Sequence, residues 1–392
     1  MLELDSWAAG RFDPIRFPIQ AGDVFSPLVP WDAETRMGWH PLGIRGDADD
    51  WYRVDVQVRG FYVNDQRIAW SGMEETFGAE GAILPMFRHR FDWCELIVLG
   101  ELYLNQPFDR NILADTPERR SYAGNFEVET LQISQLYLAI RRDNLELAFG
   151  KMVTPFGRTY FPLFSNDHFD APFIRTEAIH WRETGLLIRY DPAWLVCDLA
   201  LTNGTEDRDS NSSKALISRI GFQGQRWAGG VSIKFQDGIG SENQKQYNNH
   251  LGADLMHRWG MFTLSGEVIF DEYGFRRPDF DPHDITWGRS IYYRDLNKAW
   301  GRPITGVGYY LNLGLQKDRW LAALCYGEFY PEAIGDPRQD ITIRRGVIKL
   351  DYEFARQLDA YTALLLETGG YLAQDNQPRN GTAVLAGIQY TF

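Results

Sequence analysis

Met261-Phe262-Thr263-Leu264-Ser265-Gly266-Glu267-Val268-Ile269-Phe270-Asp271-Glu272 alternates: Phe262, Leu264, Val268 and Phe270 are apolar, while Thr263, Ser265, Glu267 and Asp271 between them are polar. A β-strand produces this period of two because successive side chains point to opposite faces. The same reading holds at 51–63, where Tyr52, Val54, Val56 and Val58 alternate with Arg53, Asp55, Gln57 and Arg59. It holds again at 347–354, where Ile348, Leu350, Tyr352 and Phe354 oppose Lys349, Asp351 and Glu353. Each stretch has one oily and one charged face, and helical periodicity is weak throughout.

Extended along the chain, the pattern predicts about sixteen strands, near 51–63, 74–87, 93–105, 125–141, 145–153, 179–190, 194–203, 214–223, 226–236, 248–258, 261–272, 303–316, 319–330, 341–354, 357–369 and 380–392. The connections say more than the strands. Short turns such as Arg142-Asp143-Asn144, Asp191-Pro192, Gly224-Gln225, Trp259-Gly260, Lys317-Asp318 and Ala355-Arg356 take turns with longer polar loops. A soluble sandwich has no reason for that alternation, whereas a transmembrane antiparallel β-barrel has short periplasmic turns and long extracellular loops. The fold expected is all-β: a transmembrane barrel over 51–392, preceded by residues 1–50 as a periplasmic tail or small plug. Strands of this length suit a tilted crossing of an apolar band, and barrel closure pairs every backbone group, as lipid requires.

Composition agrees. Of 392 residues, 44% are hydrophobic and 14% aromatic, which excludes intrinsic disorder. A net charge of −13 and the lack of a basic run exclude nucleic acid as the main partner. No stretch reaches the ~20 apolar residues of a membrane helix. Cys94, Cys197 and Cys325 are far apart and set in apolar stretches, which gives neither a disulfide framework nor a metal site. The first residues show no basic stretch followed by an apolar one, so no secretory leader is read there.

Trp93, Trp194, Trp227, Trp259 and Trp320 all fall beside proposed short turns, as an aromatic girdle at one interface would place them. The chain ends with Val384, Ala386, Ile388, Tyr390 and Phe392 on one face. That terminal aromatic-x-Phe resembles the signal by which the outer-membrane assembly machinery selects barrels, with Tyr390 and Phe392 as the recognised pair.

Three stretches resemble the phosphate-selective (O and P type) porins of Gram-negative outer membranes: Gly150 through Gly157 (GKMVTPFG), Leu201-Thr202-Asn203-Gly204, and Leu251 through Glu267 (LGADLMHRWGMFTLSGE). The likeness runs in short pieces across 125–392. A stretch ending at Lys151, QISQLYLAIRRDNLELAFGK, also resembles alginate-export barrels. The resemblance implies an outer-membrane channel, and the phosphate porins hold their anion with closely set arginines and lysines. The proposed wall positions here, Arg53, Asp55, Arg59, Asp254, Arg258, Glu267, Asp271, Lys349, Asp351 and Glu353, are mixed in sign and show no such ladder.

The third long loop, 154–178, is expected to fold into the lumen and set selectivity through Arg158, Asp167, His168, Asp170, Arg175 and Glu177. No G-x-S-x-G occurs and the seven histidines fall mostly near loops, so no enzyme is expected. No cofactor or metal is expected either: Asp207-x-Asp209-x-Asn211 begins like a calcium loop but carries Ser212 where Gly is needed. The function expected is a passive, water-filled, mildly cation-preferring channel in the bacterial outer membrane. Alternatives are an exporter for an acidic polysaccharide and a barrel-embedded hydrolase. Expected partners are the lipid bilayer, the assembly machinery, small hydrophilic solutes and further copies in a homotrimer.

Overall fold

A computed structural model describes residues 50–65, 73–104, 131–157, 182–192, 194–204, 213–224, 226–236, 246–275, 304–317, 319–331, 342–355, 358–371 and 378–391. They form sixteen strands. The first eight are β1 (Asp50–Asp65), β2 (Met73–Arg90), β3 (Glu95–Leu104), β4 (Leu131–Arg142), β5 (Leu145–Val153), β6 (Arg182–Tyr190), β7 (Leu195–Thr202) and β8 (Ala215–Gln223). The rest are β9 (Trp227–Phe235), β10 (Gln246–Trp259), β11 (Phe262–Phe275), β12 (Ile304–Lys317), β13 (Trp320–Pro331), β14 (Ile343–Ala355), β15 (Leu358–Tyr371) and β16 (Pro378–Thr391). Every strand pairs antiparallel with its sequence neighbours, and β1 pairs with β16 from Gln57↔Thr391 to Asp65↔Ala383, closing the barrel. Each strand predicted from alternation is present. Residues 1–49 lie outside the described residues.

Alternation sorts side chains between the two faces. In β11, Leu264, Val268 and Phe270 face out, while Ser265, Glu267, Ile269 and Asp271 are turned inward and mostly buried. Outward-facing Leu201, Ile220, Val231, Ile233, Leu251, Leu255, Leu311, Leu324 and Ile348 are all exposed. So continuous an apolar surface is what a lipid-facing wall presents and what a soluble monomer avoids.

Two tight turns need the left-handed backbone region: Asp143 in the β4–β5 turn has φ 52°, and Gly260 in the β10–β11 turn has φ 56°. All five tryptophans named above are exposed at this turn end. Trp227 stacks on His257 at 3.8 Å and His257 on Trp259 at 5.2 Å. These broad rings form the turn-side girdle.

Candidate pore wall and its charged belt

The inward faces of neighbouring strands put charges of opposite sign side by side. Backbone register pairs Arg141 of β4 with Glu146 of β5, Glu146 with Arg189 of β6, Arg189 with Asp198 of β7, and Asp198 with Arg219 of β8. One ladder row therefore alternates in sign, one residue per strand. Arg141 Nη2 donates to Glu146 Oε2 at 3.2 Å. Arg189 grips Asp198 with Nε at 2.6 Å and Nη2 at 3.1 Å, the two-pronged geometry that suits guanidinium and carboxylate.

Arg219 reaches further. It passes Gly230, whose absent Cβ would stand 2.7 Å from Nη2, and bonds both oxygens of Asp254 on β10, with Nη2 to Oδ1 at 2.9 Å. Its Nη1 also donates to Ser232 Oγ at 3.1 Å. A side chain at position 230 would block that reach, which is a packing reason for glycine inside a strand. Asp254 lies opposite Glu267 of β11, and Glu267 opposite Tyr310 of β12, whose hydroxyl donates to Glu267 Oε2 at 2.9 Å.

Toward the loop end a second cluster sits deeper. Lys234 of β9 bonds Glu183 of β6, which also accepts from Thr202 of β7. His250 Nδ1 stands 2.7 Å from Asp271 Oδ1, and both side chains are fully buried. The other ring nitrogen of His250 faces the Asn248 amide oxygen. A Ser-His-acid hydrolase needs a hydroxyl at that nitrogen, so this pair lacks the nucleophile such a mechanism requires. On β14 and β15, Arg345 binds Glu367 Oε2 through Nε at 2.9 Å and Nη2 at 2.6 Å.

Residues 154–157, which open the third long loop, turn inward from the end of β5 and meet the wall four to six strands away, at β9, β10 and β11. Phe156 is 1% exposed, and a Cβ at Gly252 on β10 would lie 2.9 Å from its ring. Its ring centroid is 5.9 Å from that of His250, edge to face. Gly157 has φ 60° and donates its N–H to Ser232 Oγ at 2.9 Å. A Cβ there would fall 1.8 Å from Glu267 Oε1, so the close approach to the wall and the backbone angle both require glycine.

The sequence-derived positions fare unevenly. Asp254, Glu267, Asp271 and Lys349 are buried on the inward face, while Arg258, Asp351 and Glu353 are partly exposed. Lys349 Nζ lies 3.8 Å from Asp351 Oδ2. Arg53, Asp55 and Arg59 lie in β1, and their side chains are outside the described set. Arg158, Asp167, His168, Asp170, Arg175, Glu177 and Phe392 are outside the described residues altogether, and Tyr390 is exposed on the outward face. Sequence reasoning placed the histidines mostly near loops; His250, inside the predicted strand 248–258, lies within β10 facing inward. It also passed over Lys234, Glu183, Glu146 and Asp198. Lys234 between Ile233 and Phe235 had the alternation signal, which a cross-strand reading would have used.

No protein-family model matches the chain, and no curated protein matches it in sequence. Solved structures do match in fold. The outer membrane channel DcaP of Acinetobacter baumannii superposes with a TM-score of 0.61 at 12% identity, covering 89% of this chain and 99% of that one. The anion-selective porin from Comamonas acidovorans gives 0.59 at 10% identity over 88% of this chain and 100% of that one. Salmonella typhi OmpF, in complex with daunomycin, gives 0.61 at 9% identity over 90% and 100%. The fold is therefore that of the Gram-negative outer-membrane porins.

Proposed function

We propose that the chain is an outer-membrane porin, a passive aqueous channel for small hydrophilic solutes with a weak preference for cations. The observation that carries this reading is the course of residues 154–157: they cross the barrel interior from β5 and seat on β9, β10 and β11. A segment so placed narrows a channel without sealing the barrel wall, and the charged residues that follow it in sequence, Arg158 to Glu177, are expected to act on whatever passes. The outward apolar face supports residence in lipid, and the long-loop, short-turn polarity supports the outer membrane.

Solute choice follows from the belt. Arg141, Arg189, Arg219 and Arg345 are each bonded to a carboxylate, so they offer no ladder of cations to a phosphate. This favours a general channel over a phosphate-selective one despite the local sequence likeness. The net charge of −13 and the acids Glu267 and Asp271 beside the loop seat support a cation preference. Expected partners remain the assembly machinery, acting through Tyr390 and Phe392, and further copies in a homotrimer. We read the chain as non-enzymatic.

The test is purified protein in planar bilayers. Stepwise conductance is expected, small because the inward side chains of β6–β11 are largely buried rather than lining a wide bore. In a salt gradient the reversal potential should be mildly cation-selective. Absence of steps, or firm anion selectivity, would overturn the reading.

A further inference from the structure

The inward face of β13–β16 is unlike the charged belt of β4–β8. Register lines up Cys325, Val347, Leu365 and Ala383 in one row across the four strands. The next row toward the turns sets Ala323, Ala363 and Leu385 around Lys349, and the one after sets Leu321 and Tyr361 around Asp351. Lys349 and Asp351, 3.8 Å apart, are the charges of these three rows. On the loop side the Arg345–Glu367 ion pair bounds them. The patch is therefore mainly apolar, and it begins at the turn end, since Leu321 follows Trp320 directly and Tyr361 lies close to Leu358.

In an open bore such a patch would be wet, at a cost that grows with its area. It is dry. Val347 and Leu365 are 0% exposed, whereas Ile348 and Leu366, one residue on and facing outward, are 53% and 46% exposed. Concave curvature crowds an inner wall, but sixteen strands leave a bore wide enough for water, so adjoining strands do not account for complete burial. Something inside the bore lies on the patch.

We propose that the chain before β1 is a plug: the apolar run Phe17, Ile19, Val24, Phe25, Leu28 and Val29 enters the bore from the turn end and seats on the inner face of β13–β16. Placement favours this occupant over a loop from the opposite end. β1 begins at Asp50, paired with His89 beside the β2–β3 turn, so the preceding chain starts at the end of the barrel where the patch starts. β1 is also bonded to β16, one edge of the patch. The 20 residues between Val29 and Asp50 can span up to about 70 Å at ~3.3 Å each, ample to enter the bore. Pro18, Pro27 and Pro30 punctuate the run. Proline lacks the N–H that a ladder strand donates, so the run suits lying on a wall rather than joining it. Residues 154–157 seat at β9–β11, and the plug narrows the bore from a second side, so solutes pass between the two. That consequence rests on the channel reading above; the seat itself does not.

The experiment is photo-cross-linking in the full chain, with p-benzoylphenylalanine in place of Tyr361, followed by tryptic digestion and mass spectrometry. The expected product has the mass of one chain and joins position 361 to peptide 17–36, bounded by Arg16 and Arg36. The same probe in place of Leu366, which faces outward, should not capture that peptide. Capture of a long loop or a second copy, or no peptide at all, would overturn the proposal. Accessibility gives a second readout, because Cys325 is a thiol within the patch, 1% exposed. In a chain with Cys94 and Cys197 replaced by Ala, the six apolar residues of the run are changed together to Ser. Modification of Cys325 by a small charged methanethiosulfonate should then speed up roughly tenfold or more, since each lost apolar contact weakens the seat, and the conductance step should grow. The six positions precede β1, and heat-dependent electrophoretic mobility checks that the barrel still closes. Unchanged Cys325 reactivity in a closed barrel would equally overturn the plug. A chain that gives the cross-link but no conductance steps would overturn the channel reading and retain the plug, so the two fail separately.

Discussion

The inward face of β4–β10 and the outward face of β12–β16 handle charge in opposite ways. Inside, Arg141, Glu146, Arg189, Asp198 and Arg219 occupy successive strands in one row, so nearly every charge finds its counter-charge on the next strand. Outside, among the described residues of β12–β16, the two rows next to Glu328 and Arg344 are uncharged and mostly Leu, Ile and Val, and this pair stands at their loop-side edge. The difference shows that a barrel wall tolerates charge by register more than by amount. Removing one member of the inner belt should therefore hurt more than its polarity suggests, and adding a charge outside should hurt according to depth.

The largest effect is expected at Arg219, which is 2% exposed and bonds Asp254 with both prongs. Arg219→Ala leaves a buried carboxylate without its partner and should cost about 3–5 kcal/mol in denaturant unfolding of the detergent-solubilised barrel. The double change Arg219→Met with Asp254→Leu should recover most of that loss, because two apolar groups replace two paired charges. A single change costing less than about 1 kcal/mol would mean that water, rather than Asp254, compensates the guanidinium.

On the outer face the expected effect is somewhat smaller and graded. Val268 lies six residues beyond Phe262 at the turn end of β11, and Leu264 only two. Val268→Arg should cost about 2–4 kcal/mol, as for a cation near the bilayer midplane, and Leu264→Arg roughly 0–1 kcal/mol, as for one near the interface. Unfolding from lipid vesicles reads both. Equal costs at the two sites would remove the depth assignment.

Much of this wall was legible in the sequence, because alternation acts on single strands and needs no partner to be seen. The run Phe262, Leu264, Val268 and Phe270 fixed both the strand and its outward face. The belt was harder to read, since Arg189 and Asp198 meet only when the β6–β7 hairpin is folded at its turn and register is counted outward from it. Arg219 with Asp254 was harder still, for it depends on the missing side chain at Gly230 between them. The seat of Phe156 on Gly252 joins residues nearly a hundred positions apart and leaves no periodic trace. Glu328 breaks the outward-apolar rule, so polarity alone assigns it to the wrong face, while its parity with Leu324 and Tyr326 puts it outward.

The smallest effect is expected in selectivity, where the same two faces can be told apart by their access to a passing ion. Asp198→Asn leaves Arg189 without its bidentate partner and adds one positive charge to the lumen wall. A unit charge about 8 Å from an ion is worth about 0.5 kcal/mol in water, a roughly two- to threefold change in permeability ratio toward anions. Screening should shrink the shift as salt rises from 0.1 M to 1 M, where the Debye length falls from about 10 Å to about 3 Å. Glu328→Gln changes formal charge by the same amount on the other side of the wall, beyond reach of the lumen, and should leave the reversal potential where it was. If Asp198→Asn has no effect at low salt, the belt is walled off from the conduction path and ions pass elsewhere in the bore. If Glu328→Gln shifts the potential as much as Asp198→Asn, the two faces share one field and the assignment of Glu328 to lipid fails.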